Sequence, residues 1–125
     1  MNAYEFHQNN SGGRHDEEAG HHIFVFAENA SRANNLAEDY CRVYFDGVDD
    51  GMDCECCGDR WYRTYNSDRN TTEQMRRRIE STVKDCLDFW PLCAVLWPAT
   101  SKPVMYDLRQ SKQLQRLYDD IARFA

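Results

Sequence analysis

"NTTEQMRRRIESTVKDCLDFWPLCAVLW", residues 70–97, changes its hydrophobic period part-way along, and that change decides the fold class. Thr71 and Gln74 have the spacing of a capping box, in which each side chain satisfies the other residue's backbone N–H. Met75, Ile79, Val83, Cys86 and Leu87 then recur at helical intervals, so a helix with one apolar stripe is expected. Pro91 disfavours helical geometry at Trp90 and ends it. The apolar run "LCAVLW" (92–97) has strand length, and after the proline-bounded loop "PATSKP" (98–103), "VMYDL" (104–108) reads as its shorter antiparallel partner.

Working outward, Asp107 is expected to cap a closing helix whose Leu114, Leu117, Tyr118, Ile121 and Phe124 share one side. Towards the N-terminus, "MNAYEFHQ" (1–8) and "HHIFVFAE" (21–28) read as two strands around a loop over residues 9–20, rich in turn formers and expected to be flexible. In "ENASRANNLAEDY" (28–40), Ala33, Leu36, Ala37 and Tyr40 fall at helical spacing behind Asn29 as N-cap, and "CRVYFDGV" (41–48) reads as a brief strand. Strands and helices mix without regular alternation. The expectation is a single α+β domain over residues 1–125, an antiparallel sheet of about four strands packed with about three helices.

A chain of 125 residues supports one hydrophobic core rather than two. Its composition, 42% apolar and 29% charged with a formal charge of −6, is that of a folded, well-solvated protein. No run approaches the length needed to span a bilayer, and the first thirty residues lack the pattern of a signal peptide, so a cytoplasmic location without membrane contact is expected.

The chemistry concentrates in "DCECCGDRWY" (53–62). A reducing compartment and the adjacent Cys56 and Cys57 argue against a disulfide framework. Cys54, Cys56 and Cys57 are close enough to chelate one soft ion such as zinc, which normally takes four ligands; Cys41 or one of His21 and His22 is the candidate for the fourth, ahead of Asp53 or Asp59. The two histidines adjoin at a strand start and should point to opposite faces, so at most one reaches inward. The competing reading is a reduced turn that packs without metal. A reactive thiolate is the poorer choice, because six acids over residues 46–59 raise thiol pKa values. Cys86 and Cys93 read as small hydrophobes.

From Arg60 onward the sign reverses. Arg60, Arg76, Arg77 and Arg78 can neutralise the acidic block, and Glu73–Arg77 and Glu80–Lys84 have the favourable helical order. Arg60, Trp61 and Tyr62 are also residue types that dominate protein interfaces. The same aromatics, with Arg76, Arg77 or Arg78 on phosphate, would suit a small nucleotide. A net-negative chain lacks the field for an extended nucleic-acid track. Phosphate-loop, dinucleotide and serine-elbow motifs are missing, and Val48 breaks an EF-hand reading of "DGVDDGMDCE" (46–55).

The stretch from Glu28 to Tyr62, with "YFDGV" at Tyr44 to Val48 and "DCECCGDRW" at Asp53 to Trp61, resembles a family of small uncharacterised bacteriophage proteins. That resemblance implies action in an infected bacterial cytoplasm and carries no function of its own. Accessory proteins of this class bind host machinery or blunt host defence, an associational argument. The leading expectation is therefore a non-enzymatic binding protein with a host protein as partner. A small nucleotide or nucleotide-signal binder is the alternative, and a thiol- or metal-dependent enzyme comes third.

Overall fold

The computed structural model describes residues 1–9, 16–45 and 60–125. Strands β1 (Asn2–His7), β2 (His22–Ala27), β3 (Leu92–Leu96) and β4 (Val104–Asp107) form one sheet in that order. With helices α1 (Ala30–Tyr40), α2 (Thr72–Asp85) and α3 (Ser111–Phe124), they make the expected single α+β domain of four strands and three helices. The sheet is mixed: β1–β2 and β3–β4 are antiparallel, whereas β2 and β3 run parallel, with His22 opposite Cys93 and Val25 opposite Leu96. The reason lies in the connection. Both α1 and α2 are inserted between β2 and β3, and a crossover through helices returns the chain to the same end of the sheet.

Local signals explain most boundaries. Asn29 Oδ1 accepts the Arg32 N–H at 2.9 Å and starts α1. Thr71 and Gln74 make both bonds of the capping box, at 3.2 and 2.8 Å. Asp107, expected to cap α3, instead closes β4; its carboxylate takes the Arg109 N–H and guanidinium, and the helix begins only after Gln110. Aspartate competes for nearby backbone in this way wherever a turn lets it. The strand expected over residues 41–48 is not formed in residues 43–45, where Val43 and Phe45 are anchored by buried side chains rather than by a ladder; 46–48 lie outside the described residues. Of the loop expected over 9–20, residues 10–15 also lie outside them. Residues 16–20 form a turn gripped by the Gln8 amide, which donates to the Asp16 and Gly20 carbonyls and accepts the Asp16 N–H.

The sheet buries both faces. On one side Ala30, Ala33 and Ala37 let α1 lie close against Ile23 and Val25, with Trp61 completing the cluster. On the other, Met75 and Ile79 of α2 and Leu117 and Ile121 of α3 cover Phe24, Val95 and Tyr106. Among the described residues no helix is long and apolar enough to cross a membrane.

Candidate functional site

The outer edge of β1 is covered at its two ends and open between them. At one end the Asn9 N–H donates to the Arg60 carbonyl at 2.8 Å; at the other, Ala3 and Asn70 exchange both backbone bonds at 2.9 and 2.8 Å. Chain 60–70 therefore runs antiparallel to residues 3–9, but spends eleven residues where seven would match. The surplus bows outward as an arch through a 3-10 turn at Asn66–Asp68. Helix α1 holds it there. The Asn34 amide clasps the Thr64 backbone, accepting its N–H at 2.9 Å and donating to its carbonyl at 3.1 Å, while Asn66 Oδ1 accepts the Ala30 N–H at 2.8 Å.

Strand alternation fixes what faces the gap. In β1 the even-numbered residues bond β2, as the Gln8 N–H to His21 carbonyl bond of 3.1 Å continues to do beyond the strand, and the odd-numbered ones turn their backbone outward. Ala3 and Asn9 are engaged by the arch. The N–H and C=O of Glu5 and His7 open into a cavity of about 510 Å³ beneath it, and no described residue bonds them. Tyr62, Arg63 and Arg69 form part of the rim; Tyr62 is 56% exposed, and its hydroxyl accepts from the Asn9 amide at 3.2 Å.

The side chains of Glu5 and His7 turn to the α2 face, where His22 stands opposite His7. Arg78 of α2 donates from Nε to Glu5 Oε1 at 2.9 Å with its Nη2 also 2.9 Å from that oxygen, and His22 Nδ1 lies 3.4 Å from Oε2. Burial alone would raise the Glu5 carboxyl, but the nearby His22 ring and the charge and bonds of Arg78 outweigh it and leave its pKa below the ordinary value. Burial lowers the His7 pKa, with Glu5 opposing only in part.

Beyond His22 a second cavity, of about 300 Å³, is walled by His7, His21, His22, Arg78, Cys86 and Trp90, with Ser81 and Thr82 also lining it. Both adjacent histidines face it, contrary to the expectation that at most one reaches inward. His21 precedes β2, at the bend after Gly20 (φ +89°), so strand alternation does not yet govern it. Its Nδ1 accepts the Leu92 N–H at 3.1 Å.

The other expected site residues disperse. Trp61 is 1% exposed and belongs to the core, so it presents no surface for a partner or a base; Arg60 is buried beside it. Spacing cannot separate an interface tryptophan from a core one. Successive helical residues diverge by about 100°, and accordingly Arg76 and Arg77 border a shallow surface dip with Glu73, which pairs with Arg77, while Arg78 turns to Glu5. Cys54, Cys56 and Cys57 lie outside the described residues. Cys41 sits in the α1-side core, where burial pushes its thiol up to about 12, and His22 is on the opposite face of the sheet, so these two cannot share an ion. Among the described residues no group of three His, Cys, Asp or Glu is placed to hold a metal. The residues missed in the sequence were Glu5 and His7, whose alternation with Tyr4 and Phe6 was the available signal, and Asn34 and Asn66.

Fold and site together define a small α+β protein with a bridged, partly open sheet edge. The chain belongs to the family described as Domain of unknown function (DUF7296), matched over residues 1–107, which spans all four strands, α1 and α2 and stops before α3. No curated protein and no solved structure matches it.

Proposed function

We propose that the protein is a non-enzymatic binding module that accepts an extended segment of a partner protein as an added strand on β1. The observation that carries this reading is the window at Glu5 and His7, one N–H and one C=O at each, held open by the arch. Exposed edges invite indiscriminate pairing, and proteins normally cover them. Here Arg60 and Asn70 close the edge on either side and leave only a short stretch, which limits what can pair. Backbone bonds supply affinity in strand addition, and flanking side chains supply choice. Tyr62 offers an exposed aromatic, and Arg69 stands on the rim with Asp68 and Arg63, so an acidic side chain on the segment has a guanidinium within reach. The resemblance to bacteriophage proteins makes a host protein the partner class, acting in the bacterial cytoplasm.

Amide hydrogen exchange tests the premise directly. In the free protein Glu5 and His7 should exchange far faster than Tyr4 and Phe6, and an extended acidic peptide selected from a random library should slow them. Equal protection of all four amides in the free protein would sink the reading.

A further inference from the structure

The slot on β1 is closed at both ends, and this restricts an added strand beyond its choice of side chains. Asn70 occupies the position opposite Ala3 with two backbone bonds, and the Arg60 carbonyl takes the Asn9 N–H. Only the positions opposite residues 4–8 remain, about 17 Å of strand at about 3.4 Å per residue. In an antiparallel partner, one residue exchanges both backbone bonds with His7 and the residue two further on does the same with Glu5. The partner can then run one position more, opposite Tyr4, before Asn70 blocks it. A segment that continues in both directions has to leave the sheet plane twice within this length. A chain end has to leave it once.

The side chains at the two ends differ. Towards Asn9 the slot is bordered by Tyr62 and by Arg63, whose guanidinium lies over the Phe45 ring at 5.0 Å. Towards Ala3 it is bordered by Arg69 and Gln74. Arg69 is exposed and pairs with no acid among the described residues. Gln74 Oε1 accepts the Thr71 N–H at 2.8 Å, which leaves the amide its N–H hydrogens to offer. Asp68, the acid at this end, has Oδ2 engaged by the Tyr65 N–H. Two donors therefore border the end at which an antiparallel strand finishes.

We propose, resting on the strand-addition reading, that the occupant is the C-terminal end of a partner protein, antiparallel to β1, with its last residue opposite Glu5 or Tyr4 and its terminal carboxylate on Arg69 and Gln74. Free carboxylates at the end of an added strand are a recurring recognition element. A chain N-terminus entering in the parallel sense would set an ammonium against Arg69, a like charge, and fits less well.

The test uses the intact protein and random peptides fused to a carrier by their N-termini, so that each ends in a free carboxylate. The tightest sequence selected is made as the free acid, as the C-terminal amide, and with Gly-Ser-Gly-Ser added either after its last residue or before its first. Affinity is read by fluorescence anisotropy, and the site by amide exchange at Glu5 and His7. The free acid should slow both amides. The C-terminal extension should weaken binding by about tenfold or more and the amide by about threefold, whereas the N-terminal extension should change nothing. Arg69→Gln should bring acid and amide to equal affinity without moving the melting temperature, since Arg69 is exposed. An amide or a C-terminally extended peptide that binds the native protein as tightly as the acid, and slows the same amides, would overturn the chain-end proposal and leave strand addition standing. A selected peptide that binds without slowing Glu5 and His7, or a library that yields no binder, would overturn both.

Discussion

The two faces of the sheet bury their strands by different means. Under α1 the packing is mostly apolar: three alanines bring the helix close, and Trp61, Val43 and Phe45 fill the margin next to Tyr4 and Phe6, with Arg60 the buried charge at its border. The face under α2 and α3 starts in the same way, with Val95 and Tyr106 beneath Leu117 and Ile121, and then changes towards its margin to Glu5 and His7 of β1 and His22 of β2. A face selected for stability alone would stay apolar to its margin, because buried ion pairs seldom outperform well-packed hydrophobes. The comparison places structure on the α1 side and chemistry at the β1 end of the α2 side.

The largest effect should come from the apolar face. Trp61→Ala removes the bulkiest fully buried side chain and should cost about 3–5 kcal/mol, read as a lowered urea midpoint. Any loss of binding in that variant should track unfolding. A cost below about 1 kcal/mol would mean that Trp61 is not a core residue and would return it to the list of contact residues.

On the polar side, Glu5→Gln takes the charge from between Arg78 and His22. Arg78 is half exposed and can turn to water, so a loss of about 1–2 kcal/mol is expected, below that of Trp61→Ala. The same cluster sets an acid response. His7 titrates below its ordinary 6.5 in the fold, so the unfolded chain takes up the proton first, and stability falls as pH drops through 6.5 and levels off below the folded value. Glu5 has a folded pKa below 4.5; its contribution is complete above 4.5 and is lost as pH falls through the folded value. Melting temperatures should therefore decline in two stages on acidification, and His7→Gln should remove the upper one. A profile unchanged by that substitution would detach His7 from Glu5 and His22.

The same contrast governs what could be read from the sequence. Helix α2, its capping box and the β3–β4 hairpin were legible because each depends on neighbours within a few positions. The parallel β2–β3 pairing was not, since it follows from where α1 and α2 lie rather than from any property of "HHIFVFAE" or "LCAVLW". Trp61 misled for a related reason: flanked by arginine and tyrosine it has the composition of an interface, and only the arch reveals that it turns inward. The candidate site depended on four contacts distant in sequence, Ala3–Asn70, Asn9–Arg60, Asn34–Thr64 and Glu5–Arg78. None has a local pattern, because asparagine and arginine serve as readily on a solvated surface.

Asn34→Ala tests whether the arch is held open or merely rests there. Losing both bonds to Thr64, on a partly buried backbone, should cost about 1 kcal/mol. If α1 is what keeps the arch off β1, the freed chain can approach Glu5 and His7, and their amides should gain protection although the protein as a whole is less stable. A general rise in exchange at those amides instead would mean that the slot owes nothing to the clasp.

The smallest effect on stability belongs to Tyr62, and it separates the two regions most cleanly. Its ring is largely in solvent and its one hydroxyl bond, to Asn9, is exposed, so Tyr62→Ala should change stability by less than about 0.5 kcal/mol. Binding of a segment on β1 should nevertheless weaken, since the ring is the exposed aromatic beside the open amides. Trp61 and Tyr62 are adjacent in the chain and carry similar rings, yet one should alter only folding and the other only binding. A Tyr62→Ala variant that holds the selected acidic peptide as tightly as the native chain would leave the open backbone as the sole source of affinity. Choice of partner would then have to come from Arg63 and Arg69.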